Sequence, residues 1–438
     1  MVSAQPALAR RLGVGDAVVI GLGSIVGAGV FSAFGPAARA AGSGLLIGLG
    51  IAGVVAFCNA VASAQLAAAY PTSGGTYIYG RKRLGHWWGF AAGWAFVIGK
   101  TASCAAMALT FASYAVPATW WLQRIAAVAA VAALTALNYR GITRTVALTR
   151  VLVGAVLLVL IGFAVTILIA GHPSLDRFDD PAGSSGLFHD GWYSILQAAG
   201  LLFFAFAGYA RIATLGEEVR DPRRTIPRAI PVALAITVAV YAVIAVLLLA
   251  TAGPGRIAGS VTPLTTAARH AGIDALSPVL RVGAALASLG ALLALIAGIG
   301  RTSLAMARHR DLPAWLAAVH PRYQVPHRAE VALAVIVSAL VLSTDLRGVI
   351  AFSSFGVLLY YGIANAAAYS QPRSQRIWPR ALNLFGAAGC ALLAATLPAS
   401  GVISGILVVA VGLTGRAIIR RRALAEPDNL EPEAGHRV

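Results

Sequence analysis

The residues able to do chemistry in this chain sit where two long apolar stretches are interrupted. Gly21-Leu-Gly-Ser-Ile-Val-Gly-Ala-Gly29 places Gly23, Gly27 and Gly29 inside one stretch, and Phe203-Phe-Ala-Phe-Ala-Gly-Tyr209 places Gly208 among aromatic rings in another. Glycine lets a backbone leave helical geometry and come close to a ligand. A helix that restarts after a break offers amides without intrahelical partners at the positive end of its dipole, which suits a carboxylate. A half-helix that ends leaves carbonyls able to accept from an ammonium group. The rings of Phe204, Phe206 and Tyr209 would close over a bound molecule and exclude water. Amides at one break and carbonyls at the other make a receptor for a zwitterion, the backbone of an α-amino acid. Each break also has a plainer reading: Gly23-x-x-x-Gly27 as close helix packing, and Gly208 as a kink.

These segments must be held by a membrane scaffold. Of 438 residues, 58% are hydrophobic and 11% charged, a polytopic membrane composition. A spanning helix needs about 20 apolar residues. Candidate spans lie near 16–40, 44–69, 87–115, 122–138, 146–170, 191–215, 229–251, 276–300, 329–344, 346–369, 380–398 and 400–416. The broken stretches are the first and the sixth, so five helices form the repeating unit. An odd unit re-enters from the opposite side, and an inverted repeat of this kind brings both breaks together near the bilayer midplane.

The net charge of +18 is distributed as topology requires. With the N-terminus inside, 24 of the 34 Lys and Arg fall in inner segments and five in outer loops. The other five (Arg39, Lys100, Arg150, Arg211 and Arg281) lie in or at the ends of helices. The basic clusters lack base-reading modules, so no nucleic-acid partner is expected. Residues 1–15 are too short and polar for a signal peptide, and residues 420–438 read as a disordered tail. No GxxxxGK[ST] loop supplies ATP, and no nucleophile–base set or metal spacing suggests an enzyme, a metal or a cofactor. Cys58, Cys104 and Cys390 are isolated and read as packing residues.

Two cations fall at membrane depth, Lys100 and Arg211. A charge at a helix centre costs at least about 2.5–3.5 kcal/mol, which marks both for function. Lys100 lies near the middle of the third span and suits a proton carrier; Arg211 suits pinning the lower half of the sixth to an inner gate. Asp16, Asp190 and Glu330 sit only at helix ends, so nothing deep in the bundle balances a second positive charge on a ligand. That argues against arginine, lysine and polyamines. Glu217, Glu218 and Asp221 with Arg220, Arg223 and Arg224 form either an inner-gate network or a solvated loop; Tyr77, Tyr79, Ser353, Ser354 and Tyr360 are further pathway candidates.

Gly21 to Phe31 resembles the first-helix signature of amino acid permeases of the amino acid–polyamine–organocation (APC) superfamily. Pro71 to Tyr77, Asn138 to Gly141, Glu217 to Pro227, Arg308 to Pro313 and Val319 to Arg322 are similar to further segments of that family. The resemblance runs from about Asp16 to Tyr369 and implies an all-α polytopic membrane protein, a LeuT-type 5+5 inverted repeat with 12 transmembrane helices. It places helices 1–5 at about 16–170 and helices 6–10 at about 191–369 of a transport core over 16–370, with helices 11–12 over 371–419 outside the repeat. By position it assigns the carboxylate to the Ala28 and Gly29 amides, the ammonium to the carbonyls of Ile25, Phe204 and Ala207, and a gating ring to Phe206, with Ser24, Gly27 and Gly208 in the same lining and Tyr209 in the gate.

Two departures bear on coupling. Val156 stands where many proton-coupled relatives carry a lysine, and Ala210 stands where many carry a glutamate after the second break. The expectation is a bacterial-type plasma-membrane permease with both termini cytoplasmic. It imports or exchanges neutral amino acids by alternating access, with protons as the co-transported partner. Acidic amino acids or amines, or a non-transporting sensor or assembly subunit on the same helices, are the alternatives.

Overall fold

The computed structural model describes residues 12–71, 74–117, 119–141, 146–178, 187–213 and 219–425. Among them the chain is almost wholly helical. The first half holds α1 (Val14–Ile25), α2 (Ala28–Ser32), α3 (Phe34–Ala41), α4 (Leu45–Ala69), α5 (Gly75–Arg83), α6 (His86–Ala115), α7 (Trp120–Tyr139) and α8 (Val146–Ala170). The second holds α9 (Gly191–Phe206), α10 (Ala210–Ala213), α11 (Pro222–Ala258), α12 (Pro263–His270), α13 (Leu276–Arg308) and α14 (His327–Ser343). It closes with α15 (Leu346–Tyr369), α16 (Arg380–Thr396) and α17 (Ala399–Ala425). Among the described residues nine stretches are long and apolar enough to cross a bilayer, and α9 and α16 are shorter apolar helices. The expected spans overlap these helices with different ends, and residues 214 and 215 of the sixth lie outside the described residues.

Burial separates core from rim. In α6, 83% of the spanning stretch is buried, against 22% in α7 and 17% in α17. An apolar helix that remains exposed all round its outer face is suited to lipid rather than water. α6 packs between α13 and α15, while α4 and α11 hold α9 and α1. Exposed Trp120, Trp121, Trp192 and Tyr193 lie at the starts of α7 and α9, and exposed Trp87 and Trp88 at the start of α6. By the alternation of the helices these are opposite ends of the bundle, as amphipathic rings at two membrane–water interfaces should be.

The first expected span is three helices. α1 stops at Ile25, Val26 turns at φ −79°, ψ 66°, and α2 begins at Ala28. The sixth divides likewise: α9 ends at Phe206, Ala207 to Tyr209 turn, and α10 follows. α17 runs on to Ala425, through Arg420-Arg421-Arg422, where the sequence reading begins the tail. The hydrogen-bonded last turns of α17 explain that difference, since the basic residues still belong to a continuing helix. Residues 426–438, Glu217, Glu218, Thr72, Ser73, Asp179, Asp180 and Pro181 lie outside the described residues. Near the start of the chain Leu12 bridges in parallel to Val219, with the Arg220 amide donating to the Leu12 carbonyl at 2.8 Å.

Candidate functional site

The two breaks touch. A Cβ on Gly29 would stand 2.6 Å from Cα of Ala205, and one on Gly208 would overlap the Ser24 carbonyl. Neither position has room for a side chain, because the opposing atoms are backbone. The glycines therefore bring one interrupted helix against the other, which serves close packing and an exposed backbone at once. Gly27 is looser: its Cβ would meet the Ala291 methyl at 3.1 Å.

The freed carbonyls have protein partners. The Tyr241 hydroxyl, from α11, lies 2.9 Å from the Ile25 carbonyl and 3.0 Å from that of Ala205, so one proton is shared between the breaks. Lys100 Nζ donates to the Ala207 carbonyl at 2.8 Å, and the Tyr361 hydroxyl reaches the same oxygen at 3.4 Å. The Phe204 carbonyl accepts the Ala207 amide at 3.4 Å. Buried carbonyls recruit the donors the fold supplies, here a lysine and two tyrosines. The Ala207 oxygen takes both Lys100 and Tyr361 as donors, and the Ile25 oxygen also accepts the Gly27 amide at 2.8 Å. No side chain caps α2, so its first amides remain those of an open helix start.

A cavity of ≈ 490 Å³ extends from this junction. Of the residues singled out in the sequence, Ser24, Ile25, Gly27, Ala28, Gly29, Phe204, Ala207, Gly208, Lys100 and Arg211 line it, as do Tyr77 and Tyr360. Phe206 and Tyr209 do not. Phe206 turns onto Tyr241, ring centroids 5.2 Å apart, and Tyr209 stacks on Tyr361 at 4.8 Å. Both rings are fully buried behind the second break. Tyr79, Ser353 and Ser354 are buried outside the lining, and Val156 is buried in α8.

Sequence reasoning missed Tyr241, Tyr361 and Ser103. Ser103 lines the cavity one turn beyond Lys100 on α6 and hydrogen-bonds Ser353 at 2.6 Å. Tyr241 had a usable signal: a lone tyrosine in an apolar helix needs a partner for its hydroxyl.

The cavity runs to exposed Arg301, Arg308 and His309 at the end of α13, the basic end of the bundle. There a buried carboxylate gathers three groups. Asp311 accepts from Tyr77 at 2.8 Å and from Arg81 at 2.8 Å on one oxygen, and pairs with Arg416 at 2.8 Å on the other. Burial and the Asp311 carboxylate hold the Tyr77 phenol far above its usual range, so it stays a donor. Arg416, on α17, lies over Trp87 and Phe90 at 4.8 and 4.7 Å and donates to the His86 carbonyl. Helix ends can thus bury carboxylates that sequence alone reads as peripheral; Glu330, 2% exposed, is another. Neither lines the cavity.

A bundle of membrane-length helices enclosing a cavity between two discontinuous helices is the architecture of a secondary transporter. The chain belongs to the amino acid permease family, whose model matches residues 16–417. It is 56% identical to an uncharacterized transporter of Mycobacterium tuberculosis, over 98% of this chain and 96% of that one. It is 27% identical to the branched-chain amino acid permease of Bacillus subtilis over 75% of this chain and 73% of the relative. Its identity to the chloroplastic cationic amino acid transporter 7 of Arabidopsis thaliana is also 27%, over 81% of this chain and 64% of that one. It is a membrane transporter of the permease class.

Proposed function

We propose that this permease moves α-amino acids without net positive charge across the plasma membrane by alternating access, through proton symport or exchange. The observation that carries the reading is the junction of the two breaks. Ser24 to Gly29 and Phe204 to Gly208 meet on one cavity wall, and among the described residues no carboxylate lines it. The α2 amides hold the carboxylate, and the Ala207 carbonyl receives the ammonium in place of Lys100. A second cationic group on the substrate would meet Lys100 and Arg211 rather than an anion, which sets this cavity apart from one built for arginine.

The proposed scaffold is twelve spans, with α1–α8 and α9–α15 as the inverted halves of the transport core and α16–α17 outside it. Both termini are cytoplasmic, from the inward bias of Lys and Arg. On that orientation the cavity faces the cytoplasm.

The test is uptake of each amino acid into proteoliposomes, with and without an imposed pH gradient. Accumulation of at least one non-basic amino acid, abolished by Gly29→Leu in protein that stays monodisperse, is the expected outcome. Binding without transport of any amino acid would favour a sensor on the same helices.

A further inference from the structure

Lys100 occupies an unusual place. It is 6% exposed, sits at the centre of the most buried of the membrane-length helices, and lines the cavity beside the second break. An ammonium has three donors. Among the described residues its hydrogen-bond partner is one neutral oxygen, the Ala207 carbonyl, and no carboxylate pairs with it. A neutral side chain would satisfy that carbonyl without placing a charge in the bundle. The charge is therefore matched to something the described residues do not provide.

That something competes for the same oxygen. Under the zwitterion reading above, on which this inference rests, the substrate ammonium takes the Ala207 carbonyl. Lys100 must then turn from it with its charge uncompensated, a costly state for a buried ion. A substrate bearing a second carboxylate resolves the conflict: its α-ammonium replaces Lys100 on Ala207, and its side-chain carboxylate pairs with the displaced Nζ. Ser103, one turn along α6 and also in the lining, offers a hydroxyl on the same face. The route to the site carries the same sign, with Arg301 and Arg308 exposed where the cavity reaches solvent. A cationic approach concentrates anions and repels cations.

We infer that the substrate is an acidic amino acid, with Lys100 as the residue that selects its side-chain carboxylate. The pair is neutral overall: the substrate contributes net −1, and the lysine +1.

The experiment is competition against radiolabelled L-glutamate and L-aspartate in proteoliposomes of the full chain, using L-glutamine and L-asparagine as near-isosteric neutral competitors. The acids should inhibit at least about 30-fold more strongly than their amides, in the range of a hydrogen bond made to a charged group. Lys100→Met should erase that ratio, and Lys100→Arg should restore part of it. Because the ratio is first measured on the unaltered protein, a variant that fails to fold leaves the test intact. Equal inhibition by acid and amide, or transport of alanine or leucine with no inhibition by glutamate, would overturn this inference while leaving the permease reading standing. Loss of pH-gradient-driven uptake of a neutral amino acid in Lys100→Met would also overturn it, returning the lysine to a proton-carrying role. Failure of every amino acid to enter or to bind would sink the permease reading itself.

Discussion

The two breaks solve the same problem by different means. At the first, the chain turns at Val26 and Gly27 and restarts as α2 with nothing capping its amides. At the second, the chain turns through Ala207 to Tyr209, and a lysine and two tyrosines from other helices collect its carbonyls and those opposite. The difference follows from polarity. A helix start presents donors, which an anionic ligand group can satisfy, whereas a helix end presents acceptors that the fold has covered with its own donors. The first break is thus open chemistry, and the second is mediated by side chains that must yield. One interrupted helix is read through its backbone and the other through the residues guarding it.

Substitutions can break this comparison in order of force. The largest effect is expected where the breaks touch: Gly208→Ala and Gly29→Leu each push a side chain into opposing backbone and should reduce uptake to background. Counterflow assays with size-exclusion profiles check that; normal kinetics in either variant would show that the breaks need not be in contact.

Next, Tyr241→Phe leaves the Ile25 and Ala205 carbonyls without their shared donor. A loss of about 1 kcal/mol in stability is expected, since the Ile25 carbonyl keeps the Gly27 amide and each carbonyl loses one net hydrogen bond, read as a lower midpoint in thermal unfolding. An unchanged midpoint would mean that the two carbonyls find other partners. Tyr361→Phe acts on the second break alone, where Lys100 retains the Ala207 oxygen, so a shift of about 0.5 kcal/mol or less is expected. If it matches Tyr241→Phe, the division of labour proposed here is wrong. Smallest is Gly27→Ala, whose methyl meets another methyl at 3.1 Å. Small adjustment of α13 accommodates it, and uptake should stay within about threefold of the unaltered protein, less than one decade in affinity terms.

Much of this was legible in the sequence because glycine in an apolar run is a strong signal. The positions of both interruptions, and ten of the twelve residues singled out for the cavity, are places where backbone exposure or a membrane charge leaves a mark. Phe206 and Tyr209 lie outside the lining, because a residue's direction near a helix end depends on the turn that follows, which hydropathy does not record. Tyr241 lay outside the reading because its partners are 216 and 36 residues away in sequence. The same distance problem hid Asp311, whose side-chain partners come from α5 and α17. The Lys100 charge was visible, but its hydrogen bond to the opposite break was not. That contact turns an isolated lysine into a competitor for the substrate's own place.

The Asp311 cluster has a consequence for how the molecule is made. Its carboxylate belongs to the segment after α13, but one of its two arginines is Arg416, near the end of the last helix. During synthesis Asp311 enters the assembling bundle more than a hundred residues before that partner exists. Until α17 arrives, Trp87 and Phe90 lack the guanidinium that lies over them, and Asp311 is held by Arg81 and Tyr77. The last helix is therefore a completion signal as well as lipid-facing cover: its arrival closes an unfinished ionic seam. Arg416→Met should prolong the protease-sensitive lifetime of newly made chains in pulse–chase digestion, and a lifetime identical to that of the unaltered chain would contradict this order of events.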